Sequence, residues 1–133
     1  MTTMPMTTDL MMLVWSAVLT FVLVLPYTTG QILGGGLVDA VGNRENLPAS
    51  TGWIGRAKRA HFNMLESLPL FAILVLVAHV TGRHDSLTAL GATIFFWARV
   101  AHAIIYIAGI PWLRTIVWTI SIVGLALILV RVL

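Results

Sequence analysis

The sequence predicts an all-α fold, an integral membrane four-helix bundle of up-down topology. Three observations predict it. Of 133 residues, 59% are hydrophobic and only 10% charged, with a mean hydropathy of +0.96, against about 45–50% apolar and about 25% charged in soluble domains. The apolar residues gather in four runs, each near the roughly 20 residues that a helix needs to cross the hydrocarbon core. The connections among the last three runs are short, which makes their helices spatial neighbours. Composition excludes a water-soluble enzyme and a disordered chain, and the length suits one domain.

The first span is expected over about Leu10 to Thr29, with no ionisable residue after Asp9. It reads as a span rather than a cleaved leader because the stretch before it lacks Lys and Arg. Residues Gly30 to Gly52 form the longest polar connection, with Gly34-Gly35-Gly36 and the charged Asp39, Arg44 and Glu45. The second span runs from Ser50 or Thr51, either of which suits an N-cap, to about Val80. Its first turns are basic and Pro69 is expected to kink it. Thr81 to Asp85 is a turn in which Gly82 suits a helix stop. The third span covers about Ser86 to Ala108. Gly109-Ile110-Pro111 separates it from the fourth, about Pro111 to Val132, with proline at the favoured first helical position.

Basic residues near the span ends predict orientation. Arg44, Arg56, Lys58, Arg59 and Arg114 fall on one side, Arg83 and Arg131 on the other. Both termini are therefore expected outside and the basic end in the cytoplasm. The net charge of +3 comes from few, scattered residues, so no nucleic-acid partner is expected. The chain contains no cysteine: it has no thiol nucleophile, disulfide or thiolate metal site of its own, and any sulfur chemistry arrives with a ligand.

Ionisable groups within a span cost about 2.5–3.5 kcal/mol each on insertion scales and face the bundle interior. Arg56, Arg59, Asn63 and Glu66 follow one another at intervals of three, four and three, along one helix face. Glu66 lies roughly 15 Å beyond Arg56 along the axis, where a carboxylate calls for a cationic partner; a structural Arg–Glu or Asn–Glu link that holds the bundle together accounts for it equally well. Arg99, His102 and Tyr106 repeat the pattern on the third span. His102 also suits a plain interhelical hydrogen bond, and Arg99 a bundle-stabilising ion pair. His61 is expected near the interface, solvated, with His79 and His84 towards the opposite end. Haem is disfavoured because no matched axial histidine pair is evident. Arg114 opposes the macrodipole of the helix it begins. It makes sense where guanidinium, first-turn N–H groups and the Thr115 hydroxyl meet an anion, although snorkelling to lipid headgroups also accounts for it. Together these residues suit a zwitterionic or anionic ligand better than a metal.

Arg59-Ala60-His61-Phe62-Asn63-Met64-Leu65-Glu66 with Pro69-Leu70-Phe71, and Ala98-Arg99-Val100-Ala101-His102-Ala103-Ile104-Ile105-Tyr106 with Gly109, Pro111, Arg114 and Thr115, resemble two signatures of the family of membrane-associated proteins in eicosanoid and glutathione metabolism (MAPEG). The similarity extends from about Gly30 to the C-terminus and points to a prokaryotic member. The resemblance implies a homotrimer in a bacterial inner membrane, with glutathione bound near subunit boundaries towards the cytoplasm. It implies that Arg59, Asn63, Glu66, His102, Tyr106 and Thr115 bind the tripeptide. Glu66 and Asn63 would hold the γ-glutamyl portion, and Arg114 would stabilise the thiolate. Three departures stand out: Leu33 where an arginine is common, Phe62 for a basic residue and Trp118 for a tyrosine.

The activity implied is a glutathione-dependent transferase or peroxidase acting on a lipophilic small molecule or lipid hydroperoxide taken from the membrane lipids. The alternative within the same resemblance is a non-catalytic lipid-binding protein. A proton-coupled transporter using Glu66 is a weaker reading, since small exporters place their carboxylate in the first span, which here is expected to hold none.

Overall fold

The computed structural model describes residues 3–133. Among them every regular element is helical: α1 (Thr8–Val22), α2 (Val24–Gly35), α3 (Leu37–Val41), α4 (Gly52–Val80), α5 (Ser86–Ala108) and α6 (Pro111–Val132). Four stretches, Thr8–Gly35, α4, α5 and α6, are long and apolar enough to cross a membrane. Large apolar side chains such as Phe21, Leu70, Ile73, Ile104 and Val130 are more than half exposed on the outside, a surface that only lipid or another apolar partner covers favourably. The chain is a multi-pass integral membrane protein.

The first span differs from the sequence expectation. It reaches Gly35 rather than Thr29, and it is broken at Leu23. Pro26 accounts for the break: it has no N–H for the Val22 carbonyl, and its ring crowds that turn. Residues 30–35, expected in a polar connection, continue the helix, and the rest of that connection holds the short α3. The later boundaries agree closely. Thr51 occupies the N-cap position of α4, without a capping hydrogen bond from its side chain. Helix α4 runs unbroken through Pro69. Gly109 closes α5 in the left-handed region, at φ +84°.

Helices α5 and α6 meet at two glycines. A Cβ built on Gly91 would stand 2.6 Å from the Gly124 carbonyl oxygen, and one on Gly124 would stand 2.6 Å from that of Gly91. Small residues thus let the two backbones touch, as helix pairs in lipid require. Phe71 and Phe95 fill the centre with ring centroids 4.1 Å apart, flanked by Met64, Val75, Ala92 and Ile128, all buried.

One end of the bundle is tied by a polar cluster. Asp9, only 2% exposed, accepts from the hydroxyls of Thr7 and Thr88, the latter at 3.1 Å, and lies 2.9 Å from His79 Nε2. It is the second residue of α1, so the first span does hold a carboxylate, contrary to the sequence expectation. Its partners on α4 and α5 make it a structural tie. His84 stacks on His79 at 4.1 Å. Nearby, Asp85 caps α5 in a reciprocal capping box with Thr88 and pairs with Arg131 at 2.7 Å.

Two outcomes follow from this packing. Gly124→Ala forces the helix backbones apart and lowers stability by about 2 kcal/mol, the usual scale of overpacking, measurable by thermal unfolding in detergent. The Thr88 N–H, then the Leu87 N–H and Arg131, hold the Asp85 carboxyl below its ordinary value of 3.8. A depressed folded pKa gives stability that is complete above the unfolded value and lost as pH falls through the folded one. Asp85→Asn, which keeps an acceptor, flattens that acid limb in melts recorded between pH 5 and pH 2 (a span of roughly 3 units around the carboxylate range).

Candidate functional site

At the opposite end, helical spacing brings polar residues of three helices together. Asn63 lies on the face that α4 turns towards α5, and His102 and Tyr106 are one turn apart on α5. Arg114 and Thr115 begin α6 where Gly109 and Pro111 have just reversed the chain. These five residues and Trp118 line one cavity of about 220 Å³. The Arg114 guanidinium carbon lies 4.6 Å from the Tyr106 ring centroid, and His102 meets the same ring edge-on at 5.4 Å and 79°. Tyr106 therefore holds the arginine by its ring face, a contact that leaves the guanidinium N–H groups free for an anion.

Arg59 lies outside this cavity but lines an adjoining hollow of about 130 Å³ with Arg56, and Tyr106 and Arg114 form the shared wall. Arg56 Nε donates to the Ile107 carbonyl at 2.9 Å, fastening α4 to the end of α5. The Thr115 hydroxyl donates to the Pro111 carbonyl at 3.2 Å, so towards the cavity it offers lone pairs rather than its proton. No side chain caps α6; the Arg114 N–H donates to the Ile110 carbonyl, while those of Trp112 and Leu113 have no acceptor among the described residues.

Behind Asn63 sits Arg99, 1% exposed. Its Nη2 donates to Asn63 Oδ1 at 2.6 Å, while its Nε and Nη1 have no partner among the described residues. A guanidinium only donates, so Asn63 turns its oxygen to Arg99 and keeps its NH₂ for other partners. Arg99 is thus bonded to an amide, not to the carboxylate that an ion pair would supply. Among the described residues the ion pairs are Asp9–His79 and Asp85–Arg131, both at the other end. Arg56, Arg59, Arg99 and Arg114 are uncompensated, and the site presents a positive field suited to an anion.

Glu66 departs from the expected arrangement. It is exposed, forms no ion pair among the described residues, and is absent from the cavity that holds Asn63. A step of three residues falls about 60° short of a full helical turn, which carries it off the Asn63 face. His61 also differs: it is 5% exposed rather than solvated, with its ring 5.5 Å from that of Tyr27. The sequence singled out Trp118 only as a tryptophan where the resembled signature has a tyrosine. Its place one turn beyond Arg114 on the same helix was the signal that it lines the cavity. Among the described residues no cluster of His, Asp and Glu suits a metal.

With this geometry in view, comparison with known families is decisive. The MAPEG family model matches residues 9–133, nearly the whole chain. The chain belongs to the MAPEG family. No curated protein and no solved structure gives a significant match. The matched region takes in the described parts of all four apolar stretches from Asp9 onward and both polar motifs, on α4 and on α5–α6.

The buried Arg99–Asn63 contact yields a direct test within this MAPEG chain. Asn63→Leu leaves a buried cation without an acceptor and costs about 3 kcal/mol. Arg99→Met with Asn63→Leu costs clearly less than the two single changes summed, since neither partner is then stranded. Thermal unfolding of the four proteins in one detergent closes the cycle.

Proposed function

We propose that the protein is a membrane-embedded, glutathione-dependent transferase or peroxidase, an up-down four-helix bundle working as a homotrimer in a bacterial inner membrane with its site towards the cytoplasm. The observation that carries this reading is Arg114. It is a half-buried cation at an uncapped helix N-terminus, held on a tyrosine face in a cavity lined by no carboxylate. Such an arginine and helix end lower a thiol pKa from about 8.5 and so favour the thiolate. The chain has no cysteine, so the thiol is the ligand's.

In the proposed reaction glutathione loses its thiol proton to water or buffer, and the Arg114 guanidinium stabilises the thiolate. The sulfur attacks a lipophilic electrophile, forming a C–S bond as the leaving group departs with its electron pair. With a hydroperoxide, attack on oxygen breaks the O–O bond. A second glutathione completes the balance: two thiols and one hydroperoxide give one disulfide, one alcohol and one water. Asn63 offers its NH₂ to the peptide, His102, Tyr106 and Thr115 line its cavity, and Arg59 offsets a carboxylate from the adjoining hollow. Glu66 receives the γ-glutamyl ammonium. Glu66 is exposed within a span, where a neighbouring copy in the proposed homotrimer would cover it.

A second reading, non-catalytic lipid binding, is favoured by one observation. Between α4 and α6 runs an apolar groove of about 310 Å³ lined by Leu70, Ile73, Leu74, Ile122, Leu125, Ala126 and Leu129. Its lining suits an acyl chain and offers no chemistry.

The discriminating experiment is calorimetry of glutathione binding on detergent-purified protein, followed by conjugation of an aryl halide and reduction of a lipid hydroperoxide. Under the first reading the parent binds glutathione, and Arg114→Ala lowers kcat about 100-fold, the scale of losing one oxyanion donor. The pH-rate profile of Arg114→Ala shifts upward, towards the free thiol value of about 8.5, because the cation that favoured the thiolate is gone. Full activity in Arg114→Ala overturns the catalytic role. A co-purifying lipid with no glutathione heat establishes the second reading instead.

A further inference from the structure

A second cation-lined hollow lies where α2, the 42–51 connection and α4 meet. It encloses about 350 Å³ and is lined by Tyr27, Gln31, Arg44, Ser50, Lys58 and Phe62, with Leu47 to Ala49 completing the rim. It shares no residue with the Arg114 cavity. Arg44 reaches it from the connection and Lys58 from α4, so two cations on separate elements face one space. Arg44 holds φ +65°, a conformation that side-chain-bearing residues rarely adopt. Its Nε donates to the Ala40 carbonyl at 2.8 Å, and its terminal nitrogens make no hydrogen bond among the described residues. Lys58 is equally without an anion: its Nζ lies 5.8 Å from the Phe62 ring centroid. The neighbouring carboxylates, Asp39 and Glu45, do not line the hollow.

The floor adds neutral donors. Gln31 Nε2 donates to Ser50 Oγ at 3.0 Å, which orders the serine and leaves its own proton to give. The Tyr27 hydroxyl makes no hydrogen bond among the described residues, while its ring packs 6.4 Å from Phe62. One guanidinium suffices for a carboxylate. Two cations and two hydroxyls converging from different directions match a phosphate, whose oxygens accept from several sides. Phe62, 46% exposed, gives the rim an apolar wall. The hollow lies at the end that the Lys and Arg distribution assigns to the cytoplasm, where anionic lipids concentrate and basic pockets between spans receive their headgroups.

We propose that this hollow is a phosphate-ester site, bound by Arg44, Lys58, Tyr27 and Ser50, whose occupant is the headgroup of an anionic phospholipid. It stands apart from the glutathione reading and survives that reading's failure.

The test is thermal unfolding of the full chain in detergent supplemented with phosphatidylglycerol, with phosphatidylcholine, or with inorganic phosphate. Phosphatidylglycerol is expected to raise Tm by several degrees more than phosphatidylcholine, and Arg44→Gln with Lys58→Gln to abolish the difference. Removing two cations at the far end, by Arg83→Gln with Arg131→Gln, leaves the difference intact. A rise with inorganic phosphate that needs Arg44 and Lys58 keeps the site and makes a soluble phosphate ester its occupant. The proposal is overturned by an equal response to both lipids, by a preference that persists without Arg44 and Lys58, or by its equal loss in the far-end variant. Should the double variant not fold, Lys58→Gln alone decides. This lysine makes no hydrogen bond among the described residues, and its loss must still reduce the preference.

Discussion

A guanidinium inside a bundle of membrane helices borrows no hydrogen bonds from bulk water, so the protein around it or a ligand must supply them. Arg99 is the strictest instance here. It is enclosed by α4 and α5, bonded once to Asn63, and left with two idle donor atoms. That one contact fixes which side of the Asn63 amide faces the cavity. It also adds a buried positive charge behind a site whose rim already carries Arg56, Arg59 and Arg114. With no carboxylate lining the cavity, these cations are not neutralised at the site by any described residue, and the positive field there favours an anionic ligand.

The two ends of the bundle solve the same problem in opposite ways. At one, Asp9, His79, Thr7 and Thr88 satisfy one another across α1, α4 and α5, and Asp85 pairs with Arg131. Charge is closed there and the helices are tied. At the other, arginines are held by ring faces, backbone carbonyls and one amide, contacts that position a cation without neutralising it. Between them the Gly91–Gly124 approach and the Phe71–Phe95 pair set the distance between helices, and hence the register in which Tyr106 meets Arg114.

Much of this was legible in the sequence because membrane helices announce themselves by length and are punctuated by glycine and proline. The third and fourth spans, bounded by Asp85, Gly109 and Pro111, came out within a residue or so of the structure. The first did not. Its inner end is polar and glycine-rich, like a loop, yet the helix continues. Thr28, for example, folds its hydroxyl back on the Val24 carbonyl at 2.6 Å, which satisfies the hydroxyl inside the span. Asp9 was missed for another reason: its partners lie 70 and 79 residues away, and no local pattern encodes them. The cavity residues Asn63, His102, Tyr106, Arg114 and Thr115 were readable because steps of three and four mark a helix face. Glu66 shows where that rule loosens, since successive short steps rotate a row of residues off the face on which it began.

The position of Arg114 so near the start of α6 carries an electrical consequence. It stands three residues beyond Pro111, about 4.5 Å along the axis of a hydrocarbon layer about 30 Å thick. A full crossing of the membrane field is worth about 2.3 kcal/mol per charge at 100 mV. With α6 beginning at the edge of that layer, as the proposed orientation has it, a proton exchanged with the nearer aqueous phase crosses only a small fraction of that drop, roughly 0.3 kcal/mol per 100 mV. The thiol ionisation proposed beside Arg114 is therefore almost decoupled from the membrane voltage, and would run nearly alike in an energised and a depolarised cell. A cation placed midway along the same helix would have made the site a voltage-dependent one.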